Sequence, residues 1–365
     1  MKIILPSENQ NNSQPAVIKV IGVGGGGSNA VNRMIAANVD GVEFIAVNTD
    51  VQALRESAAP VRVQIGEKTS KGLGGGGDPL IGQKAAEESI EILRETVRGA
   101  DMVFVASAMG GGTGTGAAPV VAQIARSESI LTVGVVTKPF DFEEKVKMDI
   151  AEDGIKKLKS YTDALIVIPN ERVFNVIDPT MPMKVLYEII DGVLRQSVQA
   201  ITDVITTSDE INVDFADVKN IFANSGTALI GIGESSACGN VREAVGRAVT
   251  SPLLDDRDIS LASKVLVHIT ASNLLAGQFQ EITEAIKSYN IRGHIKYGQR
   301  TDNRLDDKIK ITIIATGFKS DEEEKEKKQP FGQANLFDEP RQPSEPVKID
   351  YTIPAYTYWK SKKLK

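Results

Sequence analysis

Apolar residues fall in short unbroken runs along the first half of the chain. These are "VIKVIGV" (17–23), "VEFIAVN" (42–48), "VRVQIG" (61–66), "MVFVAS" (102–107), "LTVGVVT" (131–137) and "ALIVIP" (164–169). Runs of this length, rich in β-branched residues, predict strands buried on both faces. Helical segments alternate with them. "SNAVNRMIAA" follows the first run, a helix from Pro79 to about Arg98 follows the third, and "AAPVVAQIA" follows the fourth, with Pro119 near its first turn. The alternation predicts an α/β fold, a parallel sheet covered on both faces, in which ligands sit beyond the C-terminal ends of the strands. A long helical stretch from about Met183 to Ser208 comes next. Beyond it the pattern predicts helices near 215–223, 240–251 and 279–289 and strands at 228–233, 264–270 and 309–315.

These elements divide the chain into a flexible segment 1–15, a nucleotide-binding domain 16–182, a central helix 183–208 and a smaller α/β domain 209–318. After Phe318 the sequence "KSDEEEKEKKQP" opens a charged, apolar-poor stretch, and 319–349 is expected to be a disordered linker. The end, 350–365, differs again: "DYTIPAYTYW" carries aromatics before a run of lysines.

Glycines gather where the strands end. The runs at 24–27 and 110–116 follow two strands, "VNTD" (47–50) with Asn48 follows another, Asn170 a fourth, and the run at 74–77 with Gly75 and Gly76 enters a helix. Glycine lets a backbone approach a ligand closely, and the free N–H groups of a helix start suit a phosphate. In "MGGGTGTGAAP" (109–119), Thr113 and Thr115 add hydroxyls that can cap the helix or reach a phosphate oxygen. "GVGGGGSNA" (22–30) contains the G-x-G-x-x-G of a dinucleotide enzyme, but Asp50 lies past the second strand and no hydride-transfer groups stand out. A P-loop needs Lys before Ser/Thr; here Ser28 and Asn29 follow Gly27 directly. Three glycine clusters in one domain point instead to a nucleotide wrapped by several backbone loops.

Composition narrows the class further. With 41% hydrophobic residues, 25% charged residues and net charge −6 over 365 residues, the chain reads as globular, and without a basic stripe it is not expected to bind nucleic acid. No apolar run is long enough to span a membrane. A single cysteine, Cys238, fits a reducing cytoplasm, and the two histidines, His268 and His294, lie in strand-like stretches that suggest filler rather than a metal site.

"GGGTGTG", with "VIGVGGGGSNAV", "AVNTD", "KGLGGGG", "VTKPF", "IPN", "INVDFADV" and "SPLL" in register from about Ala16 to Phe318, resembles the FtsZ family, the bacterial cell-division branch of the tubulin superfamily. The resemblance implies a tubulin-like GTPase fold and supplies roles. Gly25, Gly26, Gly27, Ser28 and Asn29 resemble the first phosphate loop; Gly112, Thr113 and Gly114 resemble the part of the signature that grips the phosphates of GTP. Glu143 matches the family's ribose contact, with Lys147 where an arginine is usual. Asn170 matches the asparagine that meets base and sugar. Tyr187 stands where a ring stacks on guanine and Asp191 where a carboxylate reads its N–H edge. Ala108 replaces a frequent glycine before "MGGG".

From Asp191 to Ser208 the helix rises about 25 Å, so Asp214 and Asp217, with Asn212 beside them, cannot reach their own chain's γ-phosphate. Asp214 suits a helix cap, but the pair also suits polarising a water, and placing the loop against another subunit's GTP satisfies both facts. The resemblance implies the same: a cytoplasmic, GTP- and Mg²⁺-dependent homopolymer stacked head to tail at the mid-cell division site, with GDP as product. In the tail, Ile353, Pro354 and Tyr356 match the core of a peptide that docks adaptors such as the actin-like anchor FtsA; division regulators are further implied partners. A plasmid-partition or archaeal shape-control relative, a nicotinamide-dependent oxidoreductase and a non-hydrolysing GTP-binding scaffold are the competing readings.

Overall fold

The computed structural model describes residues 16–175, 178, 180–206, 211, 213–236, 240–251 and 258–318. Asn212, Cys238 and the tail residues Ile353, Pro354 and Tyr356 lie outside the described residues, as do segments 1–15, 319–349 and 350–365. In chain order the first half runs β1 (Ile18–Val23), α1 (Gly24–Ala36), β2 (Glu43–Asn48), α2 (Val51–Glu56), β3 (Val61–Gln64), α3 (Glu67–Ser70), α4 (Pro79–Glu88), α5 (Ile90–Val97), β4 (Met102–Ala108), α6 (Gly112–Ser127), β5 (Leu131–Lys138), α7 (Lys145–Tyr161) and β6 (Ala164–Pro169). It continues with α8 (Met183–Thr206), α9 (Phe215–Phe222), β7 (Gly226–Ser236), α10 (Val241–Val249), β8 (Lys264–Ala271), α11 (Ala276–Lys287), β9 (His294–Thr301) and β10 (Lys308–Thr316).

The strands join one sheet in the order β3-β2-β1-β4-β5-β6-β7-β10-β8-β9. From β3 to β6 every pair is parallel, as the continuous apolar runs predict. The β6–β7 seam holds only two residue pairs, Ala164 with Gly226 and Leu165 with Thr227. Beyond it β10 runs antiparallel to both β7 and β8, and β8 pairs β9 in parallel. The sheet is therefore parallel-dominated and changes character at β7.

Successive side chains on a strand face opposite ways, so each run feeds two cores. One face buries Val20, Phe44, Phe104 and Val133 against α1, α8 and α9, through Met34, Leu194, Val198 and Phe222. The other buries Ile21, Ile45, Val103 and Val105 against α4 to α7, through Leu93, Val121 and Leu158. A third core gathers Ile311, Ile313, Val267 and Ile269 with Val245 of α10 and Ile286 of α11.

Local outcomes differ from the sequence pattern at four places. α1 begins inside the glycine run, at Gly24 rather than Ser28. The helix expected over 79–98 breaks at Ser89, whose hydroxyl accepts the Gly66 N–H (3.1 Å), so a tertiary contact ends α4. α6 also starts within its glycines, which places Pro119 in the helix interior rather than its first turn. Finally, β9, "HIKYGQRT", forms an edge strand although its residues are mostly polar and half-buried.

Candidate functional site

Two of the helices that begin with no side chain to cap them directly follow neighbouring parallel strands. α1 starts at Gly24 after β1, and α6 starts at Gly112 after β4. Elsewhere Asp50 caps α2, Asp78 caps α4, Asp214 caps α9 and Asn240 caps α10. Uncapped N–H groups at adjacent helix starts, each with the positive end of a helix dipole, form an anion seat. β1 and β4 are parallel neighbours in register, so both starts lie at the same end of the sheet.

Between them lies a cavity of about 300 Å³, lined by Gly25, Gly26, Gly75, Gly110, Gly111, Gly112, Thr113 and Gly114, with Ala108, Met109, Glu143 and Lys147. The glycines do two separate jobs. A Cβ on Gly114 would lie 2.5 Å from Ser107 Oγ and 2.7 Å from the Ala108 carbonyl oxygen; one on Gly26 would lie 2.5 Å from the Ala108 Cβ. These positions are glycine because the loops pack onto one another. At Gly25 and Gly111 a Cβ would meet nothing within 4 Å, and neither has the positive φ that excludes side chains. Protein packing does not explain those two, and both line the cavity.

Several side chains lock this cradle. Thr113 Oγ1 lies 2.6 Å from Thr49 Oγ1, which ties α6 to the end of β2. Thr115 turns away from the cavity, and its Oγ1 accepts the Gly110 N–H (2.9 Å), so it shapes the loop from beneath. Asn48 is buried and its Oδ1 accepts the Asp50 N–H (3.2 Å). Gly27 packs under the loop, where a Cβ would lie 2.4 Å from the Ala106 carbonyl oxygen, while Gly76 and Asn29 are exposed. Ser28 Oγ and Asn170 Oδ1 are buried without a hydrogen-bond partner. Unsatisfied buried polar atoms are unfavourable, and these two, one inside α1 and one just past the end of β6, suit a polar ligand.

On the cavity rim Glu143 and Lys147 pair at 3.5 Å, and Glu143 Oε1 also accepts the Phe140 N–H. An aromatic group adjoins it: the buried Phe140 stacks on Phe142 at 4.8 Å and meets the edge of Tyr187 at 6.1 Å. Tyr187, at the start of α8, is 45% exposed, unlike an ordinary core ring. One turn later Asp191 accepts the Arg33 Nε–H at 3.1 Å, with Glu188 3.7 Å from the same guanidinium. Burial raises the Asp191 pKa, and the Arg33 contact opposes that rise. Arg33, Thr49 and Phe140 are not among the residues the sequence singled out.

The acidic loop lies at the far end of α8. Asp214 and Asp217 cap α9 reciprocally: Asp214 Oδ1 accepts the Asp217 N–H (2.8 Å) and Asp217 Oδ2 accepts the Asp214 N–H (3.3 Å). Asp217 is also hydrogen-bonded to Lys296 of β9, which holds its carboxyl below the usual aspartate range. The candidate residues thus fall into two groups at opposite ends of α8, and these carboxylates do not line the glycine cradle.

Residues 17–178 match the family described as "Tubulin/FtsZ family, GTPase domain", and residues 226–319 match "FtsZ family, C-terminal domain". The chain is 47% identical over 313 residues to the Cell division protein FtsZ of Coxiella burnetii, covering 85% of this chain and 81% of that one. Among solved structures it is similar to an empty FtsZ dimer of M. jannaschii, with TM-score 0.77 and 42% identity over 83% of this chain and 88% of the other. It also shares its fold with CetZ2 from Haloferax volcanii in a GTPγS-bound protofilament, with TM-score 0.73 and 21% identity over 85% of this chain and 96% of that one.

Proposed function

The chain belongs to the FtsZ family of tubulin-like GTPases, and from that membership we propose that it assembles head to tail into filaments whose GTP is hydrolysed at the contacts between subunits. The GTP phosphates sit in the glycine cradle, against the uncapped starts of α1 and α6. Mg²⁺ bound with the phosphates would neutralise part of their charge. Glu143 and Lys147 face the ribose, Asn170 the sugar and base, Tyr187 stacks on the guanine, and Asp191 accepts its N1 and N2 hydrogens.

The observation that carries the shared-site reading is the span of α8. About 22 Å of helix separates Asp191 from Thr206, and Asp214 and Asp217 lie beyond that end. They serve a nucleotide bound to the next subunit. There they orient a water whose oxygen attacks the γ-phosphorus as the bond to the β–γ bridging oxygen breaks and GDP leaves. A contact between unlike surfaces whose rotation does not close a ring repeats into a filament. The FtsZ dimer similar to this chain supports self-association.

We further infer that these filaments build the division ring at mid-cell, that division regulators act on them, and that Ile353, Pro354 and Tyr356 dock a membrane adaptor such as FtsA. Asp217→Ala tests the shared site. It should bind GTP nearly as the wild type does, hydrolyse it at least about tenfold more slowly, and form persistent filaments. Mixing it with a variant unable to bind GTP should restore part of the phosphate release, since each supplies what the other lacks. Wild-type turnover per subunit that does not depend on protein concentration would sink the proposal.

A further inference from the structure

The acidic loop is seated on an edge strand through three contacts. Ile211 forms a β-bridge with Gln299, whose N–H donates to the Ile211 carbonyl (3.2 Å). Val213 lies over Gly298, where a Cβ would come within 2.8 Å of its Cγ2. The Lys296 ammonium donates to Asp217. Lys296 and Gly298 are two apart and so share one face of β9. The strand therefore presents a fitted surface to the loop, with a cation at the position of one carboxylate.

We propose that Lys296 is a positioning residue for GTP hydrolysis: from β9 it holds the Asp217 carboxylate and offsets its charge as the loop meets the neighbouring subunit's triphosphate. An exposed ion pair alone adds little to stability, and the Lys296 side chain is 43% exposed. Its value here is geometric and electrostatic. Without a cation, Asp217 is held only through the reciprocal cap, and two bare carboxylates approach a polyanion across the interface. With Lys296 in place, Asp217 Oδ2 is fixed by the ammonium and the Asp214 N–H together. Of the other cations on the surrounding elements, Lys264 of β8 donates to the Asn220 carbonyl.

This inference rests on the shared-site reading, and the test keeps the two apart. Lys296→Met retains most of the apolar stem without the charge, whereas Lys296→Arg retains the charge. GTP affinity is measured on dilute subunits, assembly by sedimentation, and phosphate release per assembled subunit on the full chain. Lys296→Met should bind GTP and melt like the wild type, keep its KM for GTP, and turn over about tenfold more slowly once assembled. Lys296→Arg should recover most of that loss. Wild-type turnover in the Met variant, or equal slowing in the Met and Arg variants, would overturn the role given to Lys296. If the Met variant proves unstable, Lys296→Gln is put through the same comparison. Concentration-independent turnover in the wild type would overturn the shared site itself, whatever the variants do.

Discussion

Asp191 sets two requirements against each other. Burial favours its neutral form, yet the proposed contact with the guanine N1 and N2 hydrogens needs the charged one. Arg33, at 3.1 Å, lowers the pKa against that burial without cancelling the rise. Asp191→Ala should weaken GTP binding by about 2–4 kcal/mol and narrow the preference over ATP; an unchanged affinity by calorimetry would remove Asp191 from the base site. The raised pKa also sets a direction with pH. GTP affinity should fall on acidification through a range above that of an ordinary aspartate, near about 4. The difference in slope between wild type and Asp191→Asn separates the carboxylate from the phosphate's own titration. At this scale the sequence was only half legible. Asp191 and Asp217 stand out by family position, but their partners Arg33 and Lys296 are 158 and 79 positions away in the chain and come together only through the fold.

Among the elements, the glycine-led start of α6 makes opposite predictions at two of its glycines. Gly111 has an extended backbone and open space around its missing side chain, so Gly111→Val should leave the thermal midpoint within about 2 °C while weakening GTP binding. Gly114 is wedged between Ser107 and Ala108, so Gly114→Ala should cost about 1–3 kcal/mol of stability before any ligand is added. Thermal melts with and without GTP distinguish them; equal destabilisation by both would show that Gly111 is a packing position too. Strand pattern and glycine punctuation made the parallel half of the sheet readable, because a buried parallel strand is apolar throughout. The break at Ser89 was not readable, since the bond that ends α4 comes from Gly66. Nor was β9 in full, because an edge strand half covered by a loop needs no continuous apolar run.

On the proposed reading, the chain as a whole divides its work between a body and a tail. No residue assigned to the nucleotide or to the acidic loop lies beyond Phe318. Deleting 319–365 should leave GTP binding and hydrolysis close to wild type and still permit filaments, but abolish adaptor-dependent sedimentation with vesicles. Ile353→Asp or Tyr356→Ala in the intact chain should do the same. A truncated protein that still sediments with adaptor and vesicles would place the anchor on the body. The length of α8 carries one more consequence. Because the cradle lies at one end of that helix and the carboxylates at the other, a filament of the proposed kind would finish on one side with a nucleotide that no neighbour completes. At the opposite side it finishes with a carboxylate loop that has nothing to act on. Such a row is a directional object with two unlike tips. On that proposal its terminal GTP should outlive those inside, and the shorter the row, the larger the share of its nucleotide that goes unspent.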